Sequence, residues 1–433
     1  MKREHRDAIV HAARSTTEPV LERPLRAFAH LKNGRVVRRF LPNAAAALAG
    51  LLVGALVMLA GEGLTLPAFD PPSGPLDPSS SLERPRASAT APAALLAWAV
   101  GGLPKGSEAA VEKVPGVLNA TTVEAGLDWM RESRTVEGRL LQRPRGGRMV
   151  PIEAALIEPR EYAQLVPVSE RQLVLGLRRD ELLMAATEAR LRGAGSGMRM
   201  RLRDGWMGAA GVVSDATANG YEVLMRRPAP ASWRDSDRFL LALVSSCSRD
   251  AIMGRLKPLL EPGVAVRLRC GREQPFLRYG DSVLPQLLIK EAFGEFSAWP
   301  LPDGTIDIDP AWRDRHIVTA RVPLLPDVTC HRALLPQLRG ALGELEARGL
   351  SHVVDPAQYA GCFAPRFIAR DPDGRLSHHS WGIALDVNAL ENTFGSKADQ
   401  DQRLVAVMEG WGFTWGGGWL VPDPMHFEWL RWP

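Results

Sequence analysis

Between residues 94 and 290 this 433-residue chain contains no histidine. That absence makes a second imidazole-based site in that stretch an unfavoured expectation. The four cysteines, Cys247, Cys270, Cys330 and Cys362, include no Cys-x-x-Cys pair, which argues against a cysteine zinc site. Beyond the first forty residues there is little excess charge of either sign. Residues 1–40 hold ten Lys/Arg and four Asp/Glu, and the remainder holds 43 and 45. The formal net charge of +4 thus belongs to an N-terminal tail. A near-neutral body argues against a nucleic-acid partner. No repeat is visible in residues 94–290.

Long apolar runs are also scarce, with one exception. No charge occurs between Arg39 and Glu62, a stretch of 22 residues rich in Ala, Leu, Val, Gly and Met. As a helix it spans about 33 Å, enough to cross a bilayer. The reading is a transmembrane helix at 41–61 behind a cytoplasmic basic tail at 1–40. Arg35, Arg38 and Arg39 precede the run and Glu62 follows it, so everything downstream is expected outside the cytoplasm. A cleaved signal peptide and a buried helix are the alternatives. The forty-residue basic region is too long for the first. An even cysteine count suits two disulfides in such a compartment. Pairing 247–270 with 330–362 is one of three connectivities, and four free thiols are the other reading.

Residues 62–93 carry repeated Pro and Ser and read as a tether. Residues 94–290 read as a mixed α+β domain of unassigned role. Helices are expected at Leu173–Leu191, with Asp180 as an internal cap, at Asp235–Leu243 and at Arg249–Lys257. Short strands are expected at Met198–Leu202 and Glu222–Met225. Residues 291–433 hold six of the nine His and eight of the twelve Trp. Amphipathic helices are expected at His331–Leu350, with Gly349 as its C-terminal cap, and at Asp401–Trp411.

The chemistry concentrates in two segments of that last region. The first is Ser377-His378-His379-Ser380-Trp381-Gly382-Ile383-Ala384-Leu385-Asp386, and the second is Asp423-Pro424-Met425-His426-Phe427-Glu428. If Trp381–Val387 is a strand, Gly382, Ala384 and Asp386 share a face, and two minimal side chains clear space beside a carboxylate. His379 then reaches in from a loop, with Ser377 holding it. Met425–Trp429 reads as a second strand, placing His426 and Glu428 together. Antiparallel pairing of the two sets His426 beside Asp386. A catalytic zinc site needs three such ligands and a nearby carboxylate for protons. His379, Asp386 and His426 are the expected ligands, Asp423 the general acid/base, and Glu428 an orienting partner. His378 lacks the spacing to Asp386. Trp411, Trp415 and Trp419, among glycines, are candidates for a cleft wall or for core aromatics.

Ser-x-His-x-x-Gly-x-Ala-x-Asp followed by Asp-x-x-His-Phe-Glu resembles the zinc D-alanyl-D-alanine carboxypeptidase family, which also includes L-alanyl-D-glutamate endolysins. The resemblance covers roughly residues 325–430. It implies Zn²⁺ as cofactor. It also implies an arginine near the substrate carbonyl, matched here by Arg366 in Gly361-Cys362-Phe363-Ala364-Pro365-Arg366, with Arg370 as runner-up. The family's carboxypeptidases most often have Glu where this chain has Asp423, so cleavage at D-Ala-D-Ala and at L-Ala-D-Glu both stay open. The expected class is α+β: a zinc peptidase domain at 291–433, with a small antiparallel sheet flanked by helices, behind the 94–290 domain and one membrane helix. The expected function is hydrolysis of peptidoglycan stem peptides by a single-pass cell-membrane protein. A non-catalytic zinc module and a wall-binding protein acting through residues 94–290 are the readings from other classes.

Overall fold

The computed structural model describes residues 92–233, 236–256, 263–270, 276–281 and 284–429. The expected membrane span at 41–61, the basic tail and nearly all of the tether lie outside these residues. Among the described residues no helix is long and apolar enough to cross a membrane. The architecture is mixed α+β, with one large sheet and several small ones.

The large sheet has eleven strands among the described residues. Ala94–Ala99 pairs antiparallel with Asp237–Val244 on one side and Val264–Arg269 on the other. Val117–Met130 joins Asp237–Val244 to Val150–Ile157, again antiparallel. Two pairings are parallel, Val150–Ile157 with Val223–Arg226 and Glu181–Ala185 with Trp206–Val213. Every residue of Ala94–Ala99 and Val150–Ile157 is buried, so these strands are covered on both faces. Alternation divides their side chains between two packings. Leu95 and Ala97 join Leu240 and Ala242 in one apolar cluster. Leu96 and Trp98 join Phe239 and Leu241 in another, which continues through Phe293, Leu338 and Leu385 to Phe427. One core therefore runs from the large sheet into residues 291–429.

One expected helix is interrupted by a strand and another is replaced by one. Leu173–Leu191 is broken at Gly176, where the helix Arg171–Leu175 ends. Glu181–Ala185 is then a strand, and the helix resumes at Ala186–Arg192. Asp180 lies in the turn before that strand and caps no helix. The run Leu182-Leu183-Met184-Ala185 is buried on both faces, and such a short apolar run carries no period that separates strand from helix. The expected Asp235–Leu243 helix fails for the same reason, since Asp237–Val244 is a central strand. Arg249–Leu256 is helical as expected, and the two short strands appear at Arg199–Arg201 and Val223–Arg226.

Both C-terminal helices form. The first begins at Leu335 rather than His331, because His331 ends the strand Val328–His331. Leu338, Leu342 and Leu345 are buried on one face. The helix ends in a Schellman motif. Leu350 N–H donates to the Leu345 carbonyl (2.8 Å), and Gly349, at φ +68°, donates to Glu346 (3.0 Å). The second helix is Gln402–Gly410, with the Asp401 carboxylate accepting from Arg403 N–H. Cys247 pairs with Cys270 and Cys330 with Cys362, at Cα separations of 5.7 and 5.4 Å.

Candidate metal centre

A three-stranded antiparallel sheet carries the site, in the order Ala384–Asp386, His426–Trp429, Phe413–Trp415. Its register sets Asp386 opposite His426 and Ala384 opposite Glu428, as the alternation of the two segments predicts. The expected strand Trp381–Val387 is shorter than its apolar alternation implies. His378–Trp381 is instead a turn of 3₁₀ helix, closed by Gly382 at φ +67°. Gly382 is thus not on the face of Asp386. A Cβ there would come within 2.7 Å of the His331 backbone nitrogen, so the residue serves a tight turn against a neighbouring strand. His379 does enter from outside the strand, and Ser377 Oγ accepts from its backbone N–H.

Three ligand atoms converge. His379 Nε2 lies 3.2 Å from His426 Nδ1 and 3.2 Å from Asp386 Oδ2, and His426 Nδ1 lies 3.0 Å from Asp386 Oδ1. Ligand atoms around a tetrahedral zinc with bonds of ~2.0–2.1 Å stand about 3.3 Å apart. All three residues are buried. The second hydrogen bond of each imidazole is also in place. The Cys362 carbonyl accepts from His379 Nδ1 at 2.8 Å, which leaves the Nε2 lone pair facing the cluster. Glu428 Oε2 lies 3.4 Å from His426 Nε2 and 2.7 Å from His378 Nδ1. Glu428 thus holds His426 as expected.

The buried groups of the cluster shift one another strongly. Burial alone raises the Asp386 carboxyl, but His379 and His426 outweigh it and hold it well below the usual carboxylate range. Burial disfavours charge on His426, yet Asp386 and Glu428 carry it to about 10. Burial lowers His379, with Asp386 opposing. A pocket that favours an imidazolium between two carboxylates favours a positive ion there.

Asp423 lies on the irregular approach to the strand. Its backbone N–H donates to Gly416 (2.9 Å), and its carbonyl accepts from His426 (3.0 Å). A Cβ at Gly416 would come within 2.6 Å of that carbonyl, so glycine permits the approach. Asp423 Oδ1 is buried with no hydrogen-bond partner among the described residues. Burial, reinforced by Asp386 and Glu428 against the opposing effect of His426, raises this carboxyl to about 6. An orphaned, half-desolvated carboxylate is what a proton acceptor in a cleft requires.

Arg366 places its guanidinium 4.0 Å from Asp386 Oδ2. Its backbone is fixed by Ser380, whose hydroxyl accepts from Arg366 N–H (3.1 Å) and donates to the Arg366 carbonyl (3.0 Å). Arg366, Arg370, His378, Asp423 and Trp419 line one cavity with His379 and His426. Of the three candidate wall tryptophans, only Trp419 lines it, with its ring 5.4 Å from that of His426. Trp411 is a core residue bonded to Glu344, and the Trp415 indole N–H donates to the Pro424 carbonyl. Sequence reasoning missed the Cys362 carbonyl, which carries no side-chain signal. It also missed the contact of His378 with Glu428.

No curated protein matches the chain at a significant level. Among solved structures, similarity is found to the periplasmic region of MacB from Actinobacillus actinomycetemcomitans, at 9% identity, over 40% of this chain and 87% of that one, with TM-score 0.28. A domain of a putative permease protein from Porphyromonas gingivalis gives 18%, 44%, 92% and 0.25. The extracellular domain of the noncanonic ABC-type transporter YknZ from Gram-positive bacteria gives 10%, 40%, 99% and 0.25. Likeness at these scores decides nothing about this chain. Residues 370–429 match the D-alanyl-D-alanine carboxypeptidase family, a stretch that holds His379, Asp386, Asp423 and His426.

Proposed function

We propose that the chain is a zinc-dependent peptidase acting on peptidoglycan stem peptides as a D-Ala-D-Ala carboxypeptidase. The observation that carries this reading is the orphaned carboxylate of Asp423 in the cavity of a three-ligand cluster. A module that only bound metal would need the ligands and not a desolvated acid beside them. The donor set fits zinc: two imidazoles and one carboxylate, at near-tetrahedral spacing, with the His379 tautomer fixed from behind.

His379 Nε2, Asp386 and His426 Nδ1 would hold the ion, which when bound supplies Lewis acidity. Asp423 takes the proton of the attacking water and returns it to the leaving amine. Arg366, fixed by Ser380, faces the oxyanion that develops on the substrate carbonyl. His378 and Glu428 keep His426 in place. The apolar run at 41–61 would anchor the catalytic region outside the cytoplasm. The flanking arginines support that side, and two paired cysteine bridges suit an oxidising compartment.

The test is to incubate the zinc-loaded full chain with muropeptides and read products by mass. Loss of one terminal alanine is the expected result. Release of the stem at its L-Ala-D-Glu bond would make the chain an endopeptidase instead, the reading that Asp rather than Glu at position 423 favours. No product from a chain that carries zinc would overturn the peptidase reading.

A further inference from the structure

Residues 291–429 do not close the metal cavity by themselves. The cavity measures about 750 Å³, and Val100, Ser236, Asp237, Tyr279, Gly280 and Asp281 line it from the upstream region. This wall is fastened to the metal centre at two points. The Asp281 carboxylate accepts from Leu420 N–H at 2.9 Å, next to Trp419, whose ring stands against His426. Arg375 lies 2.9 Å from Asp237, donates to the Tyr279 carbonyl (3.4 Å) and stacks its guanidinium 5.3 Å from the Tyr279 ring. Arg375 comes just before the turn that carries His379.

The cavity also gathers exposed apolar side chains. Val100, Ile368 and Phe394 are 60%, 42% and 57% exposed, come from three distant stretches of chain, and all line it. Exposed large apolar groups that converge on a concavity mark a binding surface. The atoms around one peptide bond would leave most of the volume empty, which is in the range of roughly 300–1,000 Å³ typical of ligand sites.

We infer that the upstream wall is a substrate subsite, holding the part of the peptide remote from the bond that is cut. The chain of the substrate runs from the metal ligands past Val100, Ile368 and Phe394, which pack against its apolar portions. Val100 touches substrate and sets specificity. Asp281 and Arg375 are positioning residues that hold the wall to the centre. This inference rests on the peptidase reading and assigns a role to residues 94–290 within it.

The experiment uses the zinc-loaded full chain, a five-residue stem peptide ending in D-Ala-D-Ala, and acetyl-D-Ala-D-Ala. Val100 sits exposed in a turn, so Val100→Glu is compatible with folding. The expected result is a KM about tenfold higher for the long peptide with kcat unchanged, and unchanged kinetics on the short one. Val168→Glu, 73% exposed and away from the cavity, alters neither. Equal losses on both peptides, or none on either, overturn the inference. Should the parent chain fail to cut both peptides, equilibrium binding of the long peptide decides separately from catalysis. Binding about tenfold weaker in Val100→Glu supports the wall, whereas equal affinity, or no binding by the parent chain, overturns it.

Discussion

The large sheet and the candidate metal centre both bury charge, with different partners. Beside the sheet, Lys290 lies 2.5 Å from Glu222 and 3.3 Å from Glu295, and Arg192 lies 2.9 Å from Glu188. Arg278 meets Glu153 at 2.5 Å. Burial disfavours charge on Lys290, yet Glu222, Glu295 and Glu188 together keep it protonated above its ordinary value. Each cation there has its carboxylate. In the metal centre His379, Asp386, His426 and Asp423 crowd together, and the nearest guanidinium, Arg366, stands 4.0 Å from Asp386. Asp423 Oδ1 has nothing to bond among the described residues. In the sheet the carboxyl groups face cations built into the fold, whereas Asp423 faces the cavity.

That contrast breaks if either set of charges behaves like the other. The largest effect is expected at Asp423. Asp423→Asn should lower turnover on the order of 10³-fold while zinc content and melting temperature hold, since the lost oxygen had no partner. A drop in melting temperature would make Asp423 structural. Lys290→Met should do the reverse. It strands Glu222 in the core and costs about 3–5 kcal/mol in chemical denaturation, with zinc per folded chain unchanged. Loss of zinc from the folded variant would join the two networks.

The core behind the centre gives a pH test. His331 Nδ1 accepts from Ala333 N–H and Nε2 lies 3.2 Å from the Phe293 carbonyl, so the ring is neutral. Burial, with His316 stacked 5.3 Å away, lowers it to about 4. The unfolded chain, near 6.5, therefore binds more protons between pH 4 and 6.5. This contribution is complete above 6.5 and is lost as pH falls to 4, up to about 3 kcal/mol. Urea unfolding at pH 7 and pH 4.5 should show a shallower dependence in His331→Gln than in the parent chain. The smallest effect is expected from Glu428→Gln, which should weaken zinc binding by about 10–100-fold. Unchanged affinity in a competition titration would remove Glu428 from the site.

The site was more legible in the sequence than the fold. Its side chains lie in two short segments whose alternation fixes which residues share a face, and Asp386 beside His426 follows once the two strands pair antiparallel. Where the alternation was taken too far, at Gly382, a turn of 3₁₀ helix had replaced the strand. Leu182–Ala185 and Phe239–Val244 do not show as strands in the sequence because a strand covered on both faces has no alternation to display. The Cys362 carbonyl that orients His379 and the wall that reaches the cavity from Val100 and Asp281 were invisible. Both depend on tertiary packing between segments far apart in the chain.

The most direct measurement is zinc content of the purified full chain by elemental analysis, beside Asp386→Asn. One zinc per parent chain and a near-zero value in the folded variant is the expected result. A parent chain that binds no zinc, or a variant that keeps it, would contradict a metal centre built on His379, Asp386 and His426.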